Sequence, residues 1–208
     1  MIFTGRMMRI GIVVFEQVDL LDVGGPYEVF LTASRLVERD GDPAPFEVVT
    51  VGAGPEPLSA YGGLRLTPQT TFAGAGQLDV LIVPGAIRID EILADEALLG
   101  AVGRAAADAR VVASVCTGAF LLGALGLLEE RQWTTHWEDV GQLAGRVSGT
   151  GRAWMRWVDA GEVVTSGGLS SGIAMALHLV ERFAGRELAV RTARQLEYSW
   201  DPEPGPGP

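Results

Sequence analysis

"RVVASVCTGAFLLGALGLL", residues 110–128, is the stretch whose reading decides the fold. Val111, Val112, Ala113 and Val115 form a short apolar run rich in β-branched residues, as in a strand buried on both faces. The spacing predicts a helix over 117–128. Between the halves stands Cys116, the only cysteine in the chain. A tight strand-to-helix turn lifts its central side chain above the sheet and crowds the backbone on either side, so the flanking residues must be small. Ser114, Thr117, Gly118 and Ala119 meet that need. The alternative, a buried structural cysteine, fits a lone cysteine in general, but this turn favours a nucleophile elbow. A sulfur placed there lies at a helix N-terminus, whose partial charge and free N–H groups favour thiolate over thiol. The same amides can hold negative charge on a substrate atom.

Outward from this stretch, strand-like and helix-like segments alternate. "RIGIVVF" (9–15), "FEVVTVG" (46–52) and "LDVLIVPG" (78–85) read as buried strands, and "GLRLT" (63–67) as a short edge strand. Pro26, tolerated at a first helical position, opens a helix over 26–39. Helices are expected at 95–109, 171–184 and 186–197, and "WVDAGEVVTSGG" (157–168) reads as a hairpin around Asp159-Ala160-Gly161. Such alternation predicts an α/β fold, with a mainly parallel sheet and helices on both faces. Ligands then bind outside the carboxyl ends of the strands, where Cys116 falls. Residues 1–200 read as one domain, and 201–208, "DPEPGPGP", as a poorly ordered Pro/Gly-rich tail.

Composition sets the excluded classes. The chain has 208 residues, 48% of them hydrophobic and 20% charged, enough for a large core without staples. One cysteine cannot make an internal disulfide, and the start shows neither a signal peptide nor a membrane span, so the expected location is the cytoplasm. A net charge of −10 with no basic patch argues against nucleic-acid binding. There is no phosphate loop or dinucleotide fingerprint; Gly24-Gly25 is too little for one. Two histidines and one cysteine, far apart, give no metal-ligand spacing, and neither cofactor nor metal is expected.

A reactive sulfur needs an acid–base partner, and "DLLDVGGPYEVF" (19–30) offers Asp22. Its neighbours Leu20, Leu21 and Val23 are apolar, and a desolvated carboxyl keeps its proton. A protonated Asp22 can donate to the sulfur or to a substrate; a plain turn aspartate ahead of the Pro26 helix is the alternative. Asp19 reads as a solvated loop residue. His178, inside an apolar helix, reads as structural.

The elbow, the Asp-x-x-Gly-Pro step at 22–26, the Pro-Gly at 84–85 and "TTHW" (134–137) together resemble the DJ-1/PfpI superfamily, over about residues 9–200. The resemblance implies a flavodoxin-like α/β sandwich, usually a homodimer, with Cys116 as nucleophile and Asp22 as the acid after the first strand. Aspartate at 22, "SVCTG" and the C-terminal "QLEY" (195–198) are most similar to the isocyanide hydratase branch, whose activity is the cofactor-free hydration of isocyanides to N-substituted formamides. On that reading the Thr117 and Gly118 amides steady the sulfur. Other expectations on the resemblance are a glyoxalase-like activity on 2-oxoaldehydes, or a ligand- or redox-sensing domain related to the N-terminal domains of AraC-type regulators. Thr117 stands where PfpI-type proteases have a histidine, which argues against peptidase activity. The family's Pro-Gly-Gly is here Pro84-Gly85-Ala86, whose extra methyl bears on the pocket. His136 matches a histidine that approaches the site from near the dimer interface, and a structural role bonded to backbone serves equally. Leu169 and Ser170 match a loop that packs on the nucleophile; Ser170 equally suits a helix cap.

Overall fold

The computed structural model describes residues 6–205. In chain order, β1 (Met8–Val13) leads to α1 (Leu20–Arg39) and β2 (Phe46–Gly52). Three two-residue strands follow: β3 (Leu58–Ser59), β4 (Arg65–Leu66) and β5 (Thr70–Thr71). Next come β6 (Val80–Val83), α2 (Ile89–Leu93), α3 (Glu96–Asp108), β7 (Val111–Ser114) and α4 (Gly118–Ala124). The chain continues through β8 (Gln132–Trp133), α5 (Val140–Ala144) and β9 (Thr150–Gly151). It closes with β10 (Trp157–Asp159), β11 (Val163–Ser166), α6 (Ser171–Ala184) and α7 (Arg186–Gln195).

Seven strands form the central sheet in the order β10-β11-β7-β6-β1-β2-β5, all parallel except the β10–β11 hairpin. β6, β7 and β11 are buried at every position, because helices cover both faces. α1, α6 and α7 pack on one another in one layer, and α2 packs on α3 and α4 in the other. Register carries the site. Val83 of β6 and Thr165 of β11 both pair with Ser114 of β7, so three strand ends stop side by side. The chain leaves them as Pro84-Gly85-Ala86, Val115-Cys116-Thr117 and Gly167-Gly168-Leu169.

Several expected boundaries move. α1 begins at Leu20, six residues before Pro26, with Asp19 as its N-cap; the Asp19 carboxylate accepts from Leu21 N–H at 3.2 Å. Asp19 is therefore no free loop residue, and Asp22 lies in the first helical turn. Gly24 and Gly25 lie inside this helix, where Gly25 serves packing: a Cβ there would stand 2.9 Å from Ile173 Cγ1 of α6. The strand expected at 63–67 shrinks to β4, which pairs with β3 outside the main sheet; β5 takes the edge instead. The helix after Cys116 runs only to Ala124. Within 201–208, Arg156 N–H donates to Gly205 O at 3.3 Å, and residues 206–208 lie outside the described part. No helix among the described residues is long and apolar enough to cross a membrane.

Candidate active site

The elbow forms as its residue sizes require. Cys116 has φ 54°, a left-handed conformation that side chains rarely adopt. Four bonds hold it there: Cys116 N–H to Gly167 O at 3.1 Å, Val115 N–H to Val83 O at 3.0 Å, Gly118 N–H to Val115 O at 2.9 Å, and Thr135 Oγ1 to Cys116 O at 2.8 Å. A Cβ on Gly118 would collide with the Val83 carbonyl oxygen, so the turn admits only glycine there. The strain persists because the surrounding strands and loops over-determine the turn.

Asp22 reaches the elbow from α1. It is wholly buried, and its Oδ2 accepts from Gly85 N–H at 2.9 Å, while Oδ1 has no hydrogen-bond partner. Burial pushes its carboxyl up to about 8, against the Gly85 bond, which lowers it, and with help from the nearby Asp19 charge. At neutral pH Asp22 is mostly protonated, as expected, although of the sequence neighbours only Val23 is buried with it, and Leu20 and Leu21 are exposed. Its position is fixed from two sides. Asp19 N–H donates to Gly85 O at 2.9 Å, and Val18 bridges to Ala86. The loop after β1 is thus tied to the loop after β6. A Cβ on Gly85 would lie 2.8 Å from Thr117 N and 3.0 Å from Asp22 Oδ2, which explains a glycine between acid and elbow.

The expected low-pKa thiolate is not what the structure holds. Cys116 is only 9% exposed, and burial pushes its thiol up to about 12, followed by the field of Asp22. The N–H groups of Thr117 and Leu169 donate to the sulfur and pull the other way without winning. Desolvation by the strands around the elbow outweighs two amide dipoles, and α4 is too short to add a large field. The role expected of the Gly118 amide also fails, since that N–H is taken by Val115 O. Leu169 supplies the second amide instead. Its own φ of 45° turns the N–H inward.

The sulfur opens onto a cavity of 510 Å³ lined by Thr117, Ala86, Leu169 and His136, among others. Ala86 is locked by Thr117: its N–H donates to Thr117 Oγ1 at 2.9 Å, and Thr117 Oγ1 donates back to Ala86 O at 2.8 Å. The backbone of Ala86 is therefore committed, and what it presents to the cavity is its methyl group. His136 shares the cavity, and Gly168 leaves room for its ring. Its Nδ1 lies 3.5 Å from Asp139 Oδ2, a side-chain pairing and not the backbone bond of a structural histidine. Ser170 falls outside this cavity, in an adjoining hollow, and its hydroxyl makes no cap bond although it holds the N-cap position of α6. His178 is structural: its Nε2 lies 2.7 Å from Asp159 Oδ2 and its ring stacks on Trp157. No group of His, Cys, Asp or Glu among the described residues is arranged to hold a metal.

Sequence reasoning missed Thr135, the amide of Leu169, and the wall formed by Ile87, Arg88, Glu138 and Asp139. "TTHW" carried a trace of the first, since a hydroxyl 19 residues after a strained turn has a partner to find.

The family model for the DJ-1/PfpI family matches residues 8–182. The chain belongs to the DJ-1/PfpI family. It is 36% identical over 194 residues to an isonitrile hydratase of Pseudomonas putida, a match covering 92% of this chain and 79% of the relative. It is 27% identical over 192 residues to the HTH-type transcriptional regulator GbdR of Pseudomonas aeruginosa, covering 91% of this chain but only 50% of the regulator. Among solved structures, a ThiJ/PfpI family protein from Pseudomonas syringae superposes with a TM-score of 0.81 at 26% identity, over 95% of this chain and 77% of the other. Drosophila melanogaster DJ-1beta superposes at 0.77 with 18% identity, over 94% and 100%. The mainly parallel sheet flanked by helices is thus the fold of this family.

Proposed function

We propose that this DJ-1/PfpI family member is a cofactor-free, cysteine-dependent hydratase that converts isocyanides to N-substituted formamides. The observation that carries the reading is the pair at the elbow. One thiol and one carboxyl are both held neutral by burial, and the sulfur faces the cavity while the acid stands behind it. The 36% identity to an isonitrile hydratase supports it.

An isocyanide carbon is slender, accepts a nucleophile and is protonated at the same atom. Cys116 Sγ forms the S–C bond, its proton passes to Asp22, and the Asp22 proton passes to that carbon. The product is a thioimidate, and Asp22 is again neutral. The Thr117 and Leu169 amides steady the sulfur while it carries charge. Water then adds to the thioimidate carbon, with Asp22 taking the water proton as it gives its own to nitrogen. The C–S bond breaks, the hydroxyl proton returns through Asp22 to sulfur, and the formamide leaves. Every proton is conserved, and a carboxyl near 8 suits a shuttle that must give and take at neutral pH. Leu20, Leu21 and Leu31, exposed along α1, support assembly as a homodimer.

The test is turnover of simple alkyl isocyanides beside methylglyoxal, by wild type and Cys116→Ser. Formamide production that vanishes in the variant is expected. Conversion of methylglyoxal alone would replace this reading with the glyoxalase-like one. A second reading, a ligand sensor without turnover, draws on the likeness to GbdR and on a superposition at TM-score 0.74 with an AraC family regulator from Pseudomonas putida. It requires binding at the cavity with no product.

A further inference from the structure

The cavity around Cys116 is more acidic than the chemistry of the sulfur needs. Asp19, Asp90, Glu91, Glu138 and Asp139 line it, against a single arginine, Arg88. Arg88 lies 3.4 Å from Glu91, and Asp90 is bonded at 2.9 Å by Arg146. The other three carboxylates have less. His136 Nδ1 is shared between Glu138 at 3.7 Å and Asp139 at 3.5 Å, so even a protonated ring neutralises only one of them. Asp19 has the Leu21 amide. Burial raises the Asp139 carboxyl above its ordinary range, and Glu138 adds to that while His136 opposes it. A wall of this kind repels anions and gains from a cation.

A second feature lies on the same path. An adjoining hollow of 200 Å³ shares His136 and Leu169 with the cavity. Its wall includes Trp137 and Trp154, stacked with ring centroids 4.8 Å apart and about half exposed. Among the described residues the cation–π contacts are on Phe120 and Phe183, so neither tryptophan face carries a cation of this chain. Half-exposed indole rings next to a wall whose carboxylates outnumber its cations are surroundings that a positively charged organic group prefers. At the sulfur end, by contrast, Ala86, Leu169 and the amides of Thr117 and Leu169 present methyl, alkyl and N–H groups.

We propose that the cavity selects ligands with a slender neutral reacting end and a positively charged far end, so that the preferred substrates are isocyanides bearing a cationic N-substituent. The reacting group rests on the hydratase reading above; the charge preference rests on the cavity alone.

Two measurements separate these. The first compares kcat/KM for (3-isocyanopropyl)trimethylammonium, its uncharged isostere 4,4-dimethylpentyl isocyanide, and 4-isocyanobutanoate. At low salt the cation should be preferred over the isostere by about 10-fold and over the anion by about 100-fold, with both ratios shrinking as salt rises. Glu138→Gln and Asp139→Asn should each lower the cation-to-isostere ratio several-fold, and effects common to both substrates cancel in that ratio. The second needs no turnover, because Cys116 is the only thiol. Its labelling rate is measured with methanethiosulfonates carrying an ethyltrimethylammonium or an ethylsulfonate group, each divided by its rate with 2-mercaptoethanol. A normalised preference of about 100-fold for the cation is expected. Equal normalised rates, or a faster anion, would overturn the charge preference whatever happens to isocyanides. Selective labelling with no isocyanide converted would overturn the hydratase reading and leave the charge preference standing.

Discussion

Replacing Asp22 by asparagine should stabilise the protein while stopping its chemistry. The carboxyl is wholly buried, with its pKa raised from 3.8 to about 8, mainly by burial. Between those values the folded state binds a proton that the unfolded state has released, so stability falls as pH rises through this window. Below pH 3.8 both states are protonated and the effect vanishes; above about 8 both are ionised and the cost is complete. At 1.36 kcal/mol per pH unit, the gap amounts to about 6 kcal/mol at pH 8 and above, and about 4 kcal/mol at pH 7. Asparagine carries no charge and escapes this cost. It keeps an oxygen for Gly85 N–H, but it places an amide NH2 where Oδ1 now has no partner, a loss of roughly 1–3 kcal/mol. The net gain expected at pH 7 is about 1–3 kcal/mol, or roughly 2–10 °C in Tm for a chain of this size. At pH 4 the gain should disappear or reverse. Urea unfolding of both proteins at pH 4, 6, 7 and 9, with isocyanide turnover on the same preparations, reads both halves. Turnover should fall at least ~100-fold, the usual worth of a positioned acid–base group. A variant that is less stable at pH 9 than wild type, or whose stability difference ignores pH, would refute the buried neutral carboxyl. Retained turnover would make Asp22 a packing residue.

The remaining predictions are simpler. Cys116→Ala should abolish turnover and change stability by no more than about 2 kcal/mol, because the site is small and cavity-lined; retained activity would end the covalent mechanism. With its thiol pushed up to about 12, wild type should show no thiolate absorbance near 240 nm at neutral pH, and a transition below the ordinary ~8.5 would contradict the burial argument. Gly85→Ala should cut turnover more than ~10-fold, since its Cβ would press on Thr117 N and Asp22 Oδ2 at 2.8 and 3.0 Å and disturb the acid and the elbow together; near-normal turnover would show that the loop yields freely. Light scattering at micromolar concentration should report a dimer, and a monomer there would remove the exposed leucines of α1 as an interface.

What the sequence by itself determined about this protein is what short-range sterics and hydration decide. The run Val111–Val115, one cysteine and four small neighbours specify a strand, a strained turn and a helix, because a left-handed residue at 116 is tolerated only among small side chains. A carboxyl at 22 that keeps its proton was expected from its apolar neighbours, yet Leu20 and Leu21 are exposed and the loop after β6 is what stands against Asp22, whereas the alternation of strands and helices did imply the parallel sheet. Only the tertiary structure decided the rest. The first helix was expected to open at Pro26, yet it begins at Leu20 and runs through Gly25, which packs against Ile173 of α6, a neighbour about 150 positions away. The thiol was expected to ionise easily, because a helix N-terminus is visible in sequence while the strands that strip water from the sulfur are not. Gly118 was expected to hold the sulfur, but its amide closes the turn, and the amide of Leu169 arrives from the loop after β11. The acidic wall of the cavity joins residues from the start of α1, from the segment around α2 and from the loop before α5. No local pattern announces such a wall, because its charge is a property of segments that meet only where the parallel strands end side by side.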